Sequence, residues 1–202
     1  MNAPRRIGLY GGSFDPPHNG HVALARTALE HLQLDELRWV PAGVPWQKAR
    51  TLAPVPDRQA MVMAAIAGEP RFVLETCELW RSGPSYMIDT VRELQATGSA
   101  ADWFLVIGQD QYANLHTWHA WRELVKRVTL AVAARDGVDP HPAPELAAEP
   151  HRAVTLPLPR IDVSSSEIRL RIADGRDYTD MVPPAVASYI DRHPLFRGIP
   201  RS

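Results

Sequence analysis

Three uninterrupted apolar runs constrain this chain more than any other feature. "IGLY" at 7–10, "WFLVIG" at 103–108 and "VTLAVAA" at 128–134 show no alternation of apolar and polar residues. A strand with one wet face alternates, whereas a strand covered on both faces does not. Segments with helical apolar spacing lie between such runs. Val22, Leu24, Ala25, Ala28, Leu29 and Leu32 mark one face of a helix over His21–Leu32. Helices are also predicted over Asp57–Ala67, within "GPSYMIDTVRELQATG" up to Gly98, over Ala113–Val125 as one or two short pieces, and over Ser164–Ala173 and Pro183–Asp191. Leu37–Val40, Phe72–Glu75 and "AVTLPLP" at 153–159 complete the strands. This alternation predicts an α/β fold: a Rossmann-like, doubly wound, mainly parallel sheet with helices on both faces.

The chain has 202 residues, no internal repeat and no clear linker, so a single domain over 1–202 is expected. The proline- and alanine-rich stretch Asp136–Pro150 reads as a surface excursion. The formal net charge of −1 argues against broad nucleic-acid binding. No apolar run approaches the roughly 20 residues needed to span a bilayer. "MNAPRRIGLYGG" lacks the apolar stretch of a signal peptide. Cys77 is the one cysteine, which excludes an intrachain disulfide and fits a reducing, cytoplasmic setting. It reads as a half-buried strand residue rather than a nucleophile. Nothing in the sequence sets the oligomeric state.

In doubly wound sheets, ligands bind beyond the carboxyl ends of the strands, where the strand order reverses. Three segments then matter: 11–21, 108–112 and 160–169. The first reads "GGSFDPPHNGH". Gly11 and Gly12 permit close approach of a ligand to the backbone, and Pro16 and Pro17 stiffen the loop. The following helix start presents unpaired N–H groups and a positive dipole end, which suit phosphate. His18 and His21 are three apart and share a face at that start. Taken alone, H-x-x-H reads more readily as a glycine turn with two solvated histidines. A metal pair would need a third ligand, and none is evident nearby. Neither the Walker nor the G-x-G-x-x-G pattern is present.

The third segment, "DVSSSEIRLRIADG", carries the capping box Ser164-x-x-Glu167. Either it simply caps a helix, or Ser164, Ser165, Ser166 and Arg169 form a second phosphate clamp at that helix start.

The two strings together resemble the nucleotidyltransferase superfamily. "GGSFDPPHNGH" is similar to its G-x-F-D-P-x-H-x-G-H signature, and "DVSSSEIR" to its I-S-S-T-x-I-R motif, with Val163 for Ile and Ser166 for Thr. "VPAGVPWQK", "GPSYMIDTVREL" and "FLVIGQDQYANLHTWHAWREL" resemble segments of the nicotinate mononucleotide adenylyltransferases in particular. That resemblance covers nearly the whole chain. It implies adenylyl transfer from ATP to nicotinate mononucleotide, with Mg²⁺ arriving on ATP and no dedicated metal site. It also implies that the helical part from about 160 to 202 completes the ATP site.

The resemblance implies catalytic roles for His18, His21 and Arg169. ATP binding would fall to Gly11, Gly12, Ser13, Phe14, Asp15, His18, His21, Gly108, Asp110, Ser164, Ser165, Ser166 and Arg169. The acceptor would meet Ser13, Lys48, Tyr86, Met87 and Trp118. Trp118 either stacks on the pyridine ring or packs in the core beside Trp121. Asp110 either accepts from ribose hydroxyls or caps a helix, and Lys48 either meets phosphate or is solvated. Two positions depart from the pattern. Met87 stands where Thr is usual, and His119 stands where an aromatic often follows the tryptophan. Both touch the nicotinate end, so a preference for nicotinamide mononucleotide or another phosphate-bearing acceptor is the alternative.

Overall fold

A computed structural model describes residues 3–44, 52–97, 100–135, 138–159 and 161–198. Six strands, β1 (Arg5–Gly12), β2 (Glu36–Pro41), β3 (Phe72–Leu74), β4 (Ala101–Gly108), β5 (Thr129–Arg135) and β6 (Arg152–Leu158), form one sheet. Their order is β3-β2-β1-β4-β5-β6, and every pairing is parallel. The expectation of a mainly parallel sheet is therefore met, with all six of these strands parallel. The order reverses between β1 and β4, so the carboxyl ends of these two strands form the switch point at which ligands bind.

The helices are α1 (Asn19–His31), α2 (Val55–Ile66), α3 (Met87–Thr97), α4 (Gln109–Ala113), α5 (Trp121–Arg127), α6 (Pro144–Ala147), α7 (Ser165–Ala173) and α8 (Pro184–Arg192). Two 3₁₀ turns, Leu115–Thr117 and Thr179–Met181, are interposed. The segment predicted as one or two helices over Ala113–Val125 is thus broken into the end of α4, a 3₁₀ turn and α5. Ala120, in the left-handed region at φ 47°, makes the break before α5.

The doubly buried strands split their side chains between two cores. Ile7, Leu9, Leu105, Ile107, Leu130 and Val132 face α3, α4 and α5. Tyr10, Leu37, Trp39, Phe104, Val106 and Ala131 face α1, with Leu24, Ala28 and Leu29 packed on them. This period-two division explains why the strands read as unbroken apolar runs. A third cluster joins Met61 of α2 to Ile168 of α7 and to Val186 and Ile190 of α8, which seats the C-terminal helices beside the sheet.

Two local readings change. Within the 136–150 stretch, residues 138–150 carry α6, and Leu146 is fully buried there, so one apolar side chain anchors a largely exposed excursion. Cys77 is half-buried as expected, but it lies in the turn after β3 rather than in a strand. Burial and the nearby Glu75 and Glu78 push its thiol up to about 12, so it stays protonated at neutral pH.

Candidate active site

The β1–α1 loop is held by its own aromatic and histidine side chains. Phe14 takes φ 46°, a left-handed conformation that is rare for a bulky residue. It is 1% exposed and packs edge-on against Tyr10 and His21, with ring centroids 5.5 and 5.2 Å apart. Such a conformation costs roughly 1–3 kcal/mol and persists only where packing over-determines it. Phe14 and the fully buried Asp15, both expected to contact ATP, support the loop from within. Asp15 Oδ1 accepts from Ala53 N at 3.1 Å, and its backbone carbonyl accepts from Arg169 Nη1 at 2.8 Å.

His18 is the N-cap of α1. Its Nδ1 accepts from His21 N at 3.3 Å, and His21 Nδ1 accepts from His18 N at 3.1 Å. The two rings stack with centroids 3.6 Å apart. Because each Nδ1 is an acceptor, the neutral rings keep their protons on Nε2. Burial holds the His18 ring down to about 4, so it is an uncharged donor at neutral pH.

The capping box expected at Ser164 forms only in part. Ser164 Oγ accepts from Glu167 N at 3.2 Å, but the Glu167 carboxylate turns to Arg171 at 2.8 Å. Helix α7 is tied to the glycine-histidine loop instead. Ser165 Oγ donates to Pro16 O at 2.9 Å, and Arg169 bridges Asp15 O and Ser166 Oγ, the latter at 3.1 Å. The first turns of α1 and α7 therefore converge, with two sets of N–H groups and one permanent positive charge beside them.

Two chambers open on this convergence. One, of about 590 Å³, is bordered by His18, Gly108, Gln109 and Ser164, with Leu158 and Val163 supplying apolar wall. The other, of about 320 Å³, is bordered by Ser13, Met87, Gln111, Trp118 and Ser165. Of the remaining candidates, Gly11 and Gly12 border the smaller chamber. Tyr86 lies between the lining residues Ser85 and Met87 but does not itself border the chamber; it stacks on His119 with ring centroids 4.3 Å apart. Trp118 packs against the core, as one of its readings has it, and also borders the chamber. Asp110 is exposed in the first turn of α4 and borders neither chamber, whereas its neighbours Gln109 and Gln111 do. Lys48 lies outside the described residues.

Several residues in the site carried no signal in the sequence. Arg58 of α2 is 1% exposed and donates to the carbonyls of Ser13, Ala42, Gly43 and Ala53 at 3.2, 2.5, 3.3 and 3.1 Å. It fastens the ends of β1 and β2 together. Ser85 Oγ accepts from Gly43 N and Val44 N at 3.0 and 3.2 Å. A Cβ on Gly43 would lie 2.1 Å from Glu78 O, so this approach requires glycine. Glu78 is buried and accepts from Thr90 Oγ1 at 2.7 Å; burial pushes its carboxyl above the ordinary range, against the pull of Thr90 and Arg81. A buried arginine or glutamate is legible only once its partners are known, because composition and spacing do not reveal which carbonyls converge.

A parallel sheet with two helix N-termini facing a pair of chambers at its switch point is the architecture of a nucleotidyl-transferring enzyme, and the family model confirms the class. The cytidylyltransferase-like family matches residues 9–171, and the chain belongs to that family. Its relatives narrow the group. "Probable nicotinate-nucleotide adenylyltransferase" of Methylibium petroleiphilum is 59% identical over 97% of this chain and 95% of that protein. The protein of the same name from Bordetella avium is 46% identical over 96% and 98%. Among solved structures, nicotinic acid mononucleotide adenylyltransferase of Plasmodium falciparum, complexed with NaAD, shares the fold at a TM-score of 0.74. It is 20% identical and covers 95% of this chain and 97% of its own.

Proposed function

We propose that this chain transfers the adenylyl group of ATP to nicotinate mononucleotide, giving nicotinate adenine dinucleotide and pyrophosphate in NAD biosynthesis. The observation that carries this reading is the pair of chambers meeting at His21, between the N-termini of α1 and α7. The larger suits the nucleotide: its apolar wall takes a flat base, and His18 and Ser164 stand at its polar end. The smaller suits the acceptor, with the Trp118 ring for a pyridine and the first turn of α3 at Met87 for a carboxylate.

An acceptor phosphate oxygen attacks the α-phosphorus in line, the bond to the bridging oxygen breaks, and pyrophosphate leaves with that oxygen. Little covalent chemistry is asked of the protein; alignment and electrostatic stabilisation do the work. His18 and His21 donate from Nε2 to phosphate oxygens as charge develops. Arg169 adds a permanent charge and holds α7 against the loop. Each well-aimed donor of this kind is worth roughly 2.7–4 kcal/mol of barrier. Among the described residues, no group of three or more His, Cys, Asp or Glu side chains could hold a metal ion. Mg²⁺ would arrive on the triphosphate and offset phosphate charge there.

Pyrophosphate release with ATP, Mg²⁺ and, in turn, nicotinate mononucleotide, nicotinamide mononucleotide and phosphopantetheine tests the reading. A clear preference for the first is expected. Equal or reversed preference between the first two would mean that Met87 and His119 have altered the acceptor pocket. Release with none of them would overturn the assignment.

A further inference from the structure

Among the described residues, Tyr10 and His21 alone border both chambers. Their position is where the two substrates must meet. His21 already has its role; Tyr10 has none in the mechanism above. Its ring is fixed by edge-on packing against Phe14 and Trp39, at 5.5 and 5.1 Å, and lies 6.1 Å from the His21 ring. A phenylalanine would fill this aromatic box as well. Burying a hydroxyl there is unfavourable unless the hydroxyl gains a partner.

No hydrogen bond to that hydroxyl is formed by any described residue. Neither is it one of the buried polar side-chain atoms sealed off without a partner, which are Trp39 Nε1, Gln109 Oε1 and His116 Nδ1. Tyr10 keeps a small exposed fraction, 5%, and borders both chambers. Burial raises the phenol well above its ordinary range. It is accordingly a donor throughout the working pH range and no base.

We propose that the Tyr10 hydroxyl is a further donor to the reacting phosphates, given to an oxygen at the point where the acceptor's phosphate meets the α-phosphate of ATP. No proton is transferred; the phenol keeps its hydrogen and the oxygen gains a hydrogen bond. The proposal rests on the adenylyl-transfer reading for the identity of the two phosphates. It needs only a triphosphate in the larger chamber for its test.

Tyr10→Phe deletes the hydroxyl and retains the ring. Three measurements apply: melting temperature without ligand, ATP affinity by calorimetry without acceptor, and kcat/KM for ATP by pyrophosphate release. The expected result is an unchanged melting temperature, ATP affinity weakened several-fold, and kcat/KM lowered roughly ten- to a hundredfold. Wild-type affinity together with wild-type kcat/KM would overturn the proposal. So would a loss of activity matched by a fall in melting temperature, which would assign the hydroxyl to packing. Should the unmodified protein fail to turn over nicotinate mononucleotide, the functional reading falls. The ATP affinities still decide the role of Tyr10: weakened binding supports it, and equal binding overturns it.

Discussion

His18 and His21 cap one another: each accepts the other's backbone N–H on Nδ1, and the stacked rings present Nε2 as the protonated nitrogen. The same geometry that ends the helix correctly thus selects the tautomer that donates to phosphate. The two functions separate by substitution. Asparagine is a good N-cap but cannot reproduce the Nε2 donor. His18→Asn is expected to keep a near-native melting temperature while kcat falls about a hundredfold or more. His18→Ala should lose comparable activity and about 1 kcal/mol of stability as well. Thermal melts alongside pyrophosphate release check both.

Stability should depend on pH through His18. Its ordinary value of 6.5 falls to about 4 on burial, so the unfolded chain binds its proton more readily than the native one. The contribution is therefore complete above about pH 6.5 and is lost as pH falls through about 4. Its full size is roughly 3 kcal/mol. Denaturant unfolding at pH 7, 5.5 and 4 should show His18→Asn losing less stability on acidification than the unmodified protein. Equal losses would place the acid sensitivity elsewhere.

Arg58 fastens three carbonyls at the ends of β1 and β2, and that of Ala53 ahead of α2, from a position 1% exposed to solvent. Methionine has similar length but no donors, so Arg58→Met leaves those carbonyls unsatisfied. A loss of roughly 3 kcal/mol or more is expected by urea unfolding. Activity at a temperature where the variant remains folded should also fall, because Ser13 and Gly43 lose their common support.

Met87 reaches over Gly11: a Cβ on Gly11 would lie 2.5 Å from Met87 Cε. The Met87 methyl ends a flexible side chain and can yield into the chamber, so Gly11→Ala should lower kcat/KM only a few-fold, and the loss should shrink in a Met87→Thr background, where that atom is gone. Met87→Thr alone should raise the preference for nicotinate over nicotinamide mononucleotide several-fold, since it adds a hydroxyl donor near the first turn of α3. A double-mutant cycle on kcat/KM for both acceptors measures the coupling.

Adjacent residues fared differently as sequence. The apolar runs at 103–108 and 128–134 determined a parallel sheet covered on both faces, because continuous burial leaves no polar positions to choose between. The glycine-histidine loop and the serine-arginine helix start determined the phosphate chemistry, because cap and dipole are local properties of a few consecutive residues. Tertiary structure alone decided what those residues do together. Phe14 and Asp15 turned inward, Glu167 left its cap for Arg171, and Arg169 reached across to Asp15 O. Arg58, Glu78 and Tyr10 entered the site without any signal in the sequence. Their roles depend on carbonyls, hydroxyls and chambers contributed by segments distant along the chain, and such partners exist only after the sheet has assembled.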